Sequence, residues 1–450
     1  MKTNFLLINA IDSSKSNETN YPPLGIGYLI SSLRNKFGER SINFRVVDTE
    51  IEKEINNFSP DIVGISAVSQ NYNKAAFYAK IAKKFGIPVL CGGVHISMMP
   101  LSLTRHMDVG VIGEGEITIC DLFDLFIKKR KLYENDLKKI KGIIYWKKDG
   151  KIATTEKREQ ISPLDSIQFP ARDLLNIKSK TYMFTTRGCA YRCSFCASSR
   201  FWKKVRFFSA EYVVNEIELL VNKYNVNHIS FQDDLFSLDL NRIKKIIKLL
   251  NKRDLSNRVT FSGAIRANLV NENVIQLLKQ MGLASLGLGL ESGCNKILKF
   301  LKRDNIKIED NKNAIQIIKK FGIDVYGSFI IGSPQEDKKD ILETLKFVKK
   351  SKLKGIGVYV LTPFPGTPVW EIARSKGLVN ENMEWKRLNV NFGENHESAV
   401  IVSEKLTRKE LYNLYLRFIR YQKKMDRYTD IKKGLKNPIK AVRYFVRKIS

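Results

Sequence analysis

From Tyr182 onward, short apolar runs rich in β-branched and aromatic residues alternate with longer stretches whose apolar positions recur every three to four residues. Tyr182–Thr186, His228–Gln232, Val259–Ala264, Ser285–Leu290, Val325–Ile331 and Ile356–Leu361 read as strands. Ala210–Tyr224, Leu240–Arg253, Asn273–Met281, Asn311–Phe321 and Lys338–Ser351 read as amphipathic helices, the first with Ser209 as its start signal. Strands separated by helices of this length pair in parallel, because a parallel neighbour needs a crossover. The first 130 residues repeat the pattern. Phe5–Ile8, Phe44–Val47, Ile62–Ala67, Pro88–Leu90 and Gly110–Ile112 alternate with helical patterns at Leu24–Lys36, Asn71–Phe85 and Glu116–Lys129. That is a doubly wound sheet of Rossmann or flavodoxin-like size.

Between the two units, Gly142–Trp146 and Lys151–Thr155 flank Lys147-Lys148-Asp149-Gly150, a hairpin signal, and Pro163 and Pro170 mark a crossing linker. The expected organisation is a first α/β domain over 1–135, hairpin and linker over 136–175, a six-unit partial barrel over 176–380, and a mostly helical basic extension over 381–450.

In α/β folds ligands gather at the carboxyl ends of strands, and those ends are polar here. In the second unit they carry Gln232-Asp233-Asp234, Arg266 with Asn268, Glu291-Ser292-Gly293, Gly332-Ser333-Pro334 and the Pro-rich run Thr362–Pro368. In the first they carry Gly92-Gly93-Val94-His95 and Gly113-Glu114-Gly115-Glu116, while Tyr21-Pro22-Pro23-Leu24-Gly25 opens the first helix. Glycine-rich turns of this kind admit close backbone approach to a ligand.

Composition narrows the class. The chain has 450 residues, enough for two or three domains, and 43% apolar content excludes a disordered protein. No run of eighteen apolar residues occurs and the first residues lack a signal-peptide pattern, which together predict a cytoplasmic protein. Seventy-seven Lys and Arg against forty-six Asp and Glu leave a formal charge of +31. About a third of it lies in residues 401–450, with fifteen bases and four acids. After Pro438, Ile439, Val442, Phe445, Val446 and Ile449 share one helical face and Lys440, Arg443, Arg447 and Lys448 the other. Such a helix either lies peripherally on the inner face of an anionic membrane or packs its apolar stripe on protein. Nucleic acid is a poor partner, since no recognised reading module accompanies the charge.

Three of the six cysteines stand alone. Cys91 and Cys120 read as small buried residues, and Cys294 as the same or as a loop thiol near a site. The other three, Cys189-x3-Cys193-x2-Cys196, follow a strand directly after Arg187-Gly188, with Tyr191 and Phe195 interleaved. Zinc prefers four ligands, and no second Cys or His pair follows. Three thiolates suit a four-iron cluster that keeps one iron open. Of the four histidines, His106, His228 and His396 read as structural; His95, on the Gly-rich turn, faces a ligand or is a satisfied loop residue.

This cysteine spacing, with an aromatic residue before the last Cys, resembles the radical S-adenosylmethionine superfamily. The Pro-Pro-Leu-Gly opening, the Gly-Gly-x-His turn and the Gly-Glu-Gly-Glu loop resemble its cobalamin-binding-domain branch, over roughly residues 3 to 400. The resemblance implies a [4Fe-4S] cluster on Cys189, Cys193 and Cys196, S-adenosylmethionine on the open iron, and cobalamin in the first domain near Gly92, Gly93, His95, Gly113 and Glu114. It places the methionine amino end at Asp233 and Asp234, ribose at Glu291 and Ser292, adenine at Ile330–Gly332, and the cofactor carboxylate or substrate at Arg266. Gln232-Asp233-Asp234 stands where the superfamily more often has Gly-Gly-Glu, and no Asp-x-His-x-x-Gly cobalt-ligating motif occurs.

The implied activity is reductive cleavage of S-adenosylmethionine to a 5′-deoxyadenosyl radical, serving cobalamin-dependent methyl transfer to an unactivated centre of a small-molecule or lipid substrate, with flavodoxin or ferredoxin as external electron donor. Radical cyclisation or rearrangement, and a non-catalytic cluster or corrin sensor, are the alternatives. Methylthio transfer to transfer RNA calls for a second cysteine cluster near the N-terminus, where only Cys91 and Cys120 occur.

Overall fold

The computed structural model describes residues 2–12, 21–392 and 396–436. Two sheets dominate. The first is built on β1 (Thr3–Ala10), β2 (Ile42–Val47), β3 (Ile62–Ala67), β4 (Val89–Gly92) and β5 (Val109–Val111), all parallel and ordered β2-β1-β3-β4-β5. This is the flavodoxin-like order, whose direction reverses between β1 and β3 and so opens a crevice there. The strands are near-continuous apolar runs because helices cover both faces. The hairpin strands β6 (Ile143–Trp146) and β7 (Ile152–Thr154) continue this sheet, β6 pairing antiparallel with β5. The hairpin expected between the two units is thus a part of the first.

The second sheet has six parallel strands in sequence order: β8 (Lys180–Met183), β11 (His228–Phe231), β12 (Thr260–Ile265), β13 (Leu283–Glu291), β14 (Asp324–Ile331) and β15 (Gly355–Val360). Consecutive neighbours joined by helices make the expected open, partial barrel. Apolar side chains of Ala210–Tyr224, Leu240–Lys252, Glu272–Gln280, Ile308–Lys320 and Lys338–Ser351 pack on its outer face.

The first barrel strand is shorter than its apolar run. After Met183 the chain leaves the sheet, and β9 (Thr186–Arg187) pairs antiparallel with β10 (Arg206–Phe207), closing the base of the cysteine loop. Asp233 fixes that departure. Its Oδ1 accepts the N–H groups of Thr185 and Thr186 at 2.7 and 2.8 Å, and its Oδ2 accepts the Thr185 hydroxyl at 2.6 Å.

The units share packing. Cys294, Ile297, Leu301 and Trp370 of the barrel join Leu6, Ile8, Ile65 and Ile96 of the first sheet in one core, and Trp385 stacks on Trp370 there. The final helix, Arg408–Lys436, buries Leu411, Leu414, Tyr415 and Phe418 against the barrel. The amphipathic segment after Pro438 lies outside the described residues. Among the described residues no helix is long and apolar enough to cross a membrane.

Candidate functional site

Two cavities open where the carboxyl ends of the sheets face one another. The first, about 430 Å³, lies in the β1/β3 crevice of the N-terminal sheet. Glycines supply much of its wall: Gly25, Gly64, Gly92, Gly93, Gly113 and Gly115. Gly93 has φ +100°, and a Cβ on it would lie 2.6 Å from the Ala67 carbonyl oxygen, so only glycine fits. Gly64, in the middle of β3, could not be singled out from a strand pattern. A largely apolar, glycine-walled crevice at a topological switch point fits the flat rings and nucleotide tail of a corrin.

The second cavity, about 620 Å³, occupies the barrel mouth and is lined by Cys189, Cys193 and Cys196 together with Asp234, Arg266 and Glu291. Burial pushes the Cys189 thiol up to about 11 and also raises that of Cys196. These sulfurs hold protons until a metal displaces them. Three thiols on one cavity wall, from one loop and with space beyond them, fit a cluster that keeps an iron open.

The surrounding side chains hold this loop. Arg266 donates from Nη1 to Cys193 Sγ at 3.1 Å, lies 3.9 Å from the centroid of Tyr191, and pairs through Nη2 with Asp304. Asn268 donates to the Tyr191 hydroxyl at 3.0 Å. The Leu301 carbonyl accepts from the Ser194 N–H at 2.8 Å. Lys302 donates to Glu291 Oε1 at 2.8 Å, both being buried. One short segment, Leu301–Asp304, therefore reaches the cysteine loop, Glu291 and Arg266. The short helix Asn295–Lys302 carries no sign of that role in the sequence.

Asp234 lines both cavities and accepts a hydrogen bond from Ser198. Asp233, its neighbour, lines neither. Both of its oxygens are taken by Thr185 and Thr186, which corrects its expected place at the methionine amino end. Ser292 is also turned away: its hydroxyl meets Thr344 Oγ1 at 3.0 Å and accepts from the Cys294 N–H. Glu291 faces the barrel cavity with φ +59°, at a bulge in β13. Such a left-handed non-glycine residue is a local strain of the kind that collects at functional sites.

Gly332 has φ +88°, and its N–H donates to Glu336 Oε2 at 2.6 Å, as does the Ser333 N–H at 3.1 Å. Glu336 is fully buried with Oε1 unpartnered, and desolvation pushes its carboxyl up to about 8. Ile330, two residues earlier, lines a further cavity of about 270 Å³ with Phe195, Glu291 and Tyr359.

In the N-terminal half, Gly92, Gly93, Gly113 and Glu114 line the crevice, but His95 does not. The helix Val94–Met98 turns its ring into the core, where it stacks on Tyr72 and meets Ser69 and Ser102 hydroxyls at 3.1 and 3.0 Å. Burial lowers its pKa to about 3, so the ring is neutral. The expectation of a ligand-facing His95 is corrected: both nitrogens are satisfied inside the protein. Glu114 lines the crevice yet is ion-paired with Arg187 and Arg206. Arg187, in the lead-in to the cysteines, is one of the residues whose role the sequence hid. Cys91 and Cys120 are buried as expected, and Cys294 is buried with its thiol 3.2 Å from Asp340.

Sequence comparison agrees with this division. The Radical SAM superfamily model matches residues 183–348 and the B12 binding domain model residues 16–123. An uncharacterized methyltransferase of Pyrococcus horikoshii is 34% identical over 418 residues, 89% of each chain. The anaerobic magnesium-protoporphyrin IX monomethyl ester cyclase of Rubrivivax gelatinosus is 27% identical over 78% of this chain and 66% of its own. The fold is that of the radical S-adenosylmethionine methyltransferase TsrM from Kitasatospora setae, solved with cobalamin and a [4Fe-4S] cluster, at TM-score 0.68 and 18% identity over 84% of this chain and 76% of that one. The chain belongs to the radical S-adenosylmethionine superfamily, in the branch that carries a B12-binding domain ahead of the barrel.

Proposed function

We propose that this protein is a cobalamin-dependent radical S-adenosylmethionine methyltransferase. The observation that carries the reading is the shared wall at Asp234: a glycine-lined crevice fit for a corrin and a thiol-lined mouth fit for a cluster meet at one residue. When bound, the cluster and S-adenosylmethionine supply reductive formation of a 5′-deoxyadenosyl radical, and cobalamin supplies a transferable methyl group.

The chain supplies placement. Cys189, Cys193 and Cys196 would hold the cluster. Asp234 offers a carboxylate to the ammonium of S-adenosylmethionine, and Arg266 a guanidinium to its carboxylate. Glu291, oriented by Lys302, offers an acceptor to a ribose hydroxyl. The N-terminal sheet, set over the mouth, excludes water from reactive species. The cytidylyl-2-hydroxyethylphosphonate methyltransferase among the relatives supports a small-molecule acceptor, and a lipid acceptor would suit the basic C-terminal segment. Electrons come from an external donor such as flavodoxin or ferredoxin, and the basic C-terminal segment offers peripheral membrane contact. Radical cyclisation is the second reading, favoured by the cyclase relative.

The test is product analysis on anaerobically reconstituted, reduced protein loaded with hydroxocobalamin and given S-adenosylmethionine. Formation of S-adenosylhomocysteine only with cobalamin present is the expected result. A corrin-loaded protein that forms none contradicts the methyltransferase reading and leaves cyclisation in its place.

A further inference from the structure

The Gly113–Glu116 turn of the first sheet and the Arg187-Gly188-Cys189 entry to the cysteine loop are joined by one buried ionic network. Arg187 pairs through Nη1 with Glu114 and through Nη2 with Glu116. Arg206, cross-strand from Arg187, pairs with Glu114 Oε2 at 2.8 Å, and the Ile161 N–H donates to the same oxygen at 2.7 Å. The Trp202 ring lies 5.6 Å from the Arg187 guanidinium and 5.5 Å from that of Arg206. A network so enclosed adds little net stability, because ion pairing inside a protein is offset by desolvation.

Its two ends touch different sites. Glu114, Glu116 and Arg187 line the N-terminal crevice beside Gly113 and Gly115, so whatever fills the crevice meets them. At the other end only Gly188 separates Arg187 from Cys189. Gly188 has φ +101°, and a Cβ there would lie 2.5 Å from the Lys204 carbonyl oxygen. Arg187 itself is held in β9 against Arg206. The link from the crevice wall to the first thiol is therefore one residue long and packed closely against the Lys204 carbonyl and β10.

We propose that this network couples the two cofactor sites: cobalamin in the crevice fixes the loop that presents Cys189, so that cobalamin and the iron–sulfur cluster bind cooperatively. Arg187 is its positioning residue, and Glu114 and Glu116 act through it. Coupling of binding is reciprocal by linkage, so each cofactor must tighten the other by the same factor. The proposal rests on the reading of the crevice as the cobalamin site.

Hydroxocobalamin affinity, titrated by absorbance on the full chain with and without its cluster, tests this, together with the rate of iron loss to a chelator with and without hydroxocobalamin. The cluster-loaded protein is expected to bind at least about fivefold more tightly, the lower end of usual couplings, and the corrin to slow iron loss. Arg187→Lys keeps the charge but cannot bridge two carboxylates as a planar fork does. It and Glu116→Gln should each bring the affinity ratio near one while the iron content is kept. A loss that is merely structural weakens binding in both cluster states and leaves the ratio unchanged. If Arg187→Lys does not fold, Glu116→Gln carries the test. A wild-type ratio of one, or a wild-type ratio that survives in both variants, overturns the coupling. Failure of hydroxocobalamin to bind in either cluster state overturns the crevice reading and the coupling with it.

Discussion

Arg266 donates to the Cys193 sulfur at 3.1 Å, from a guanidinium that is buried and held by Tyr191 and Asp304. A fixed cation beside a cluster ligand favours the more negative, reduced state of the cluster. Arg266→Met should therefore lower the cluster midpoint potential, by about 59 mV for each tenfold loss of preference for the reduced form, and weaken S-adenosylmethionine binding. An EPR-monitored redox titration checks it. An unchanged potential would mean that Arg266 serves the substrate or cofactor carboxylate alone.

Glu291 and Lys302 form a buried pair at 2.8 Å. Lys302→Met strands the Glu291 carboxylate and should cost about 3–5 kcal/mol. Adding Glu291→Gln should recover much of that stability but not S-adenosylmethionine affinity. Urea unfolding and ligand titration across the double-mutant cycle separate the two effects. Additive losses, with no recovery, contradict the pairing.

Glu336 gives a pH signature. Its carboxyl is pushed up to about 8 by burial, far above the unfolded value near 4.5. The native state then binds the extra proton between those values, so this contribution to stability is full below about 4.5 and is lost as pH rises through about 8. Glu336→Gln keeps an acceptor for the Gly332 and Ser333 N–H groups. Its urea midpoint should fall less than that of the wild type between pH 5 and 8. Parallel pH profiles would show an ionised Glu336.

Gly93→Ala places a methyl group 2.6 Å from the Ala67 carbonyl oxygen at φ +100°. Strain of this kind costs about 1–3 kcal/mol. Because Gly93 lines the crevice, the variant should lose hydroxocobalamin affinity while keeping its iron. Equal affinity would place the corrin elsewhere.

The family, the α/β class and the gathering of Cys189, Cys193 and Cys196 on one cavity wall were legible in the sequence because each leaves a local mark: strand and helix periods, and three cysteines within one loop. What the sequence hid depends on the direction a side chain takes in space. Asp233 and Asp234 are adjacent, yet one caps the break after the first barrel strand and the other walls two cavities. His95 sits in a turn that looks ligand-facing, but a one-turn helix swings it into the core against Tyr72. Ser292 follows Glu291 and turns to Thr344 instead. Arg187 and Lys302 were unreadable because their partners, Glu114 and Glu291, are 73 and 11 residues away. Short helices such as Ile51–Phe58 and Asn295–Lys302 offer too few turns for a periodic signal.

Radical chemistry at the barrel mouth is read directly by 5′-deoxyadenosine production from the anaerobically reconstituted protein, reduced and supplied with S-adenosylmethionine, beside Cys193→Ala. The wild type is expected to form 5′-deoxyadenosine, with about four irons per chain, and the variant to show neither the product nor the cluster absorption. A wild-type protein with an intact cluster that forms no 5′-deoxyadenosine, or a variant that keeps the cluster, would contradict it.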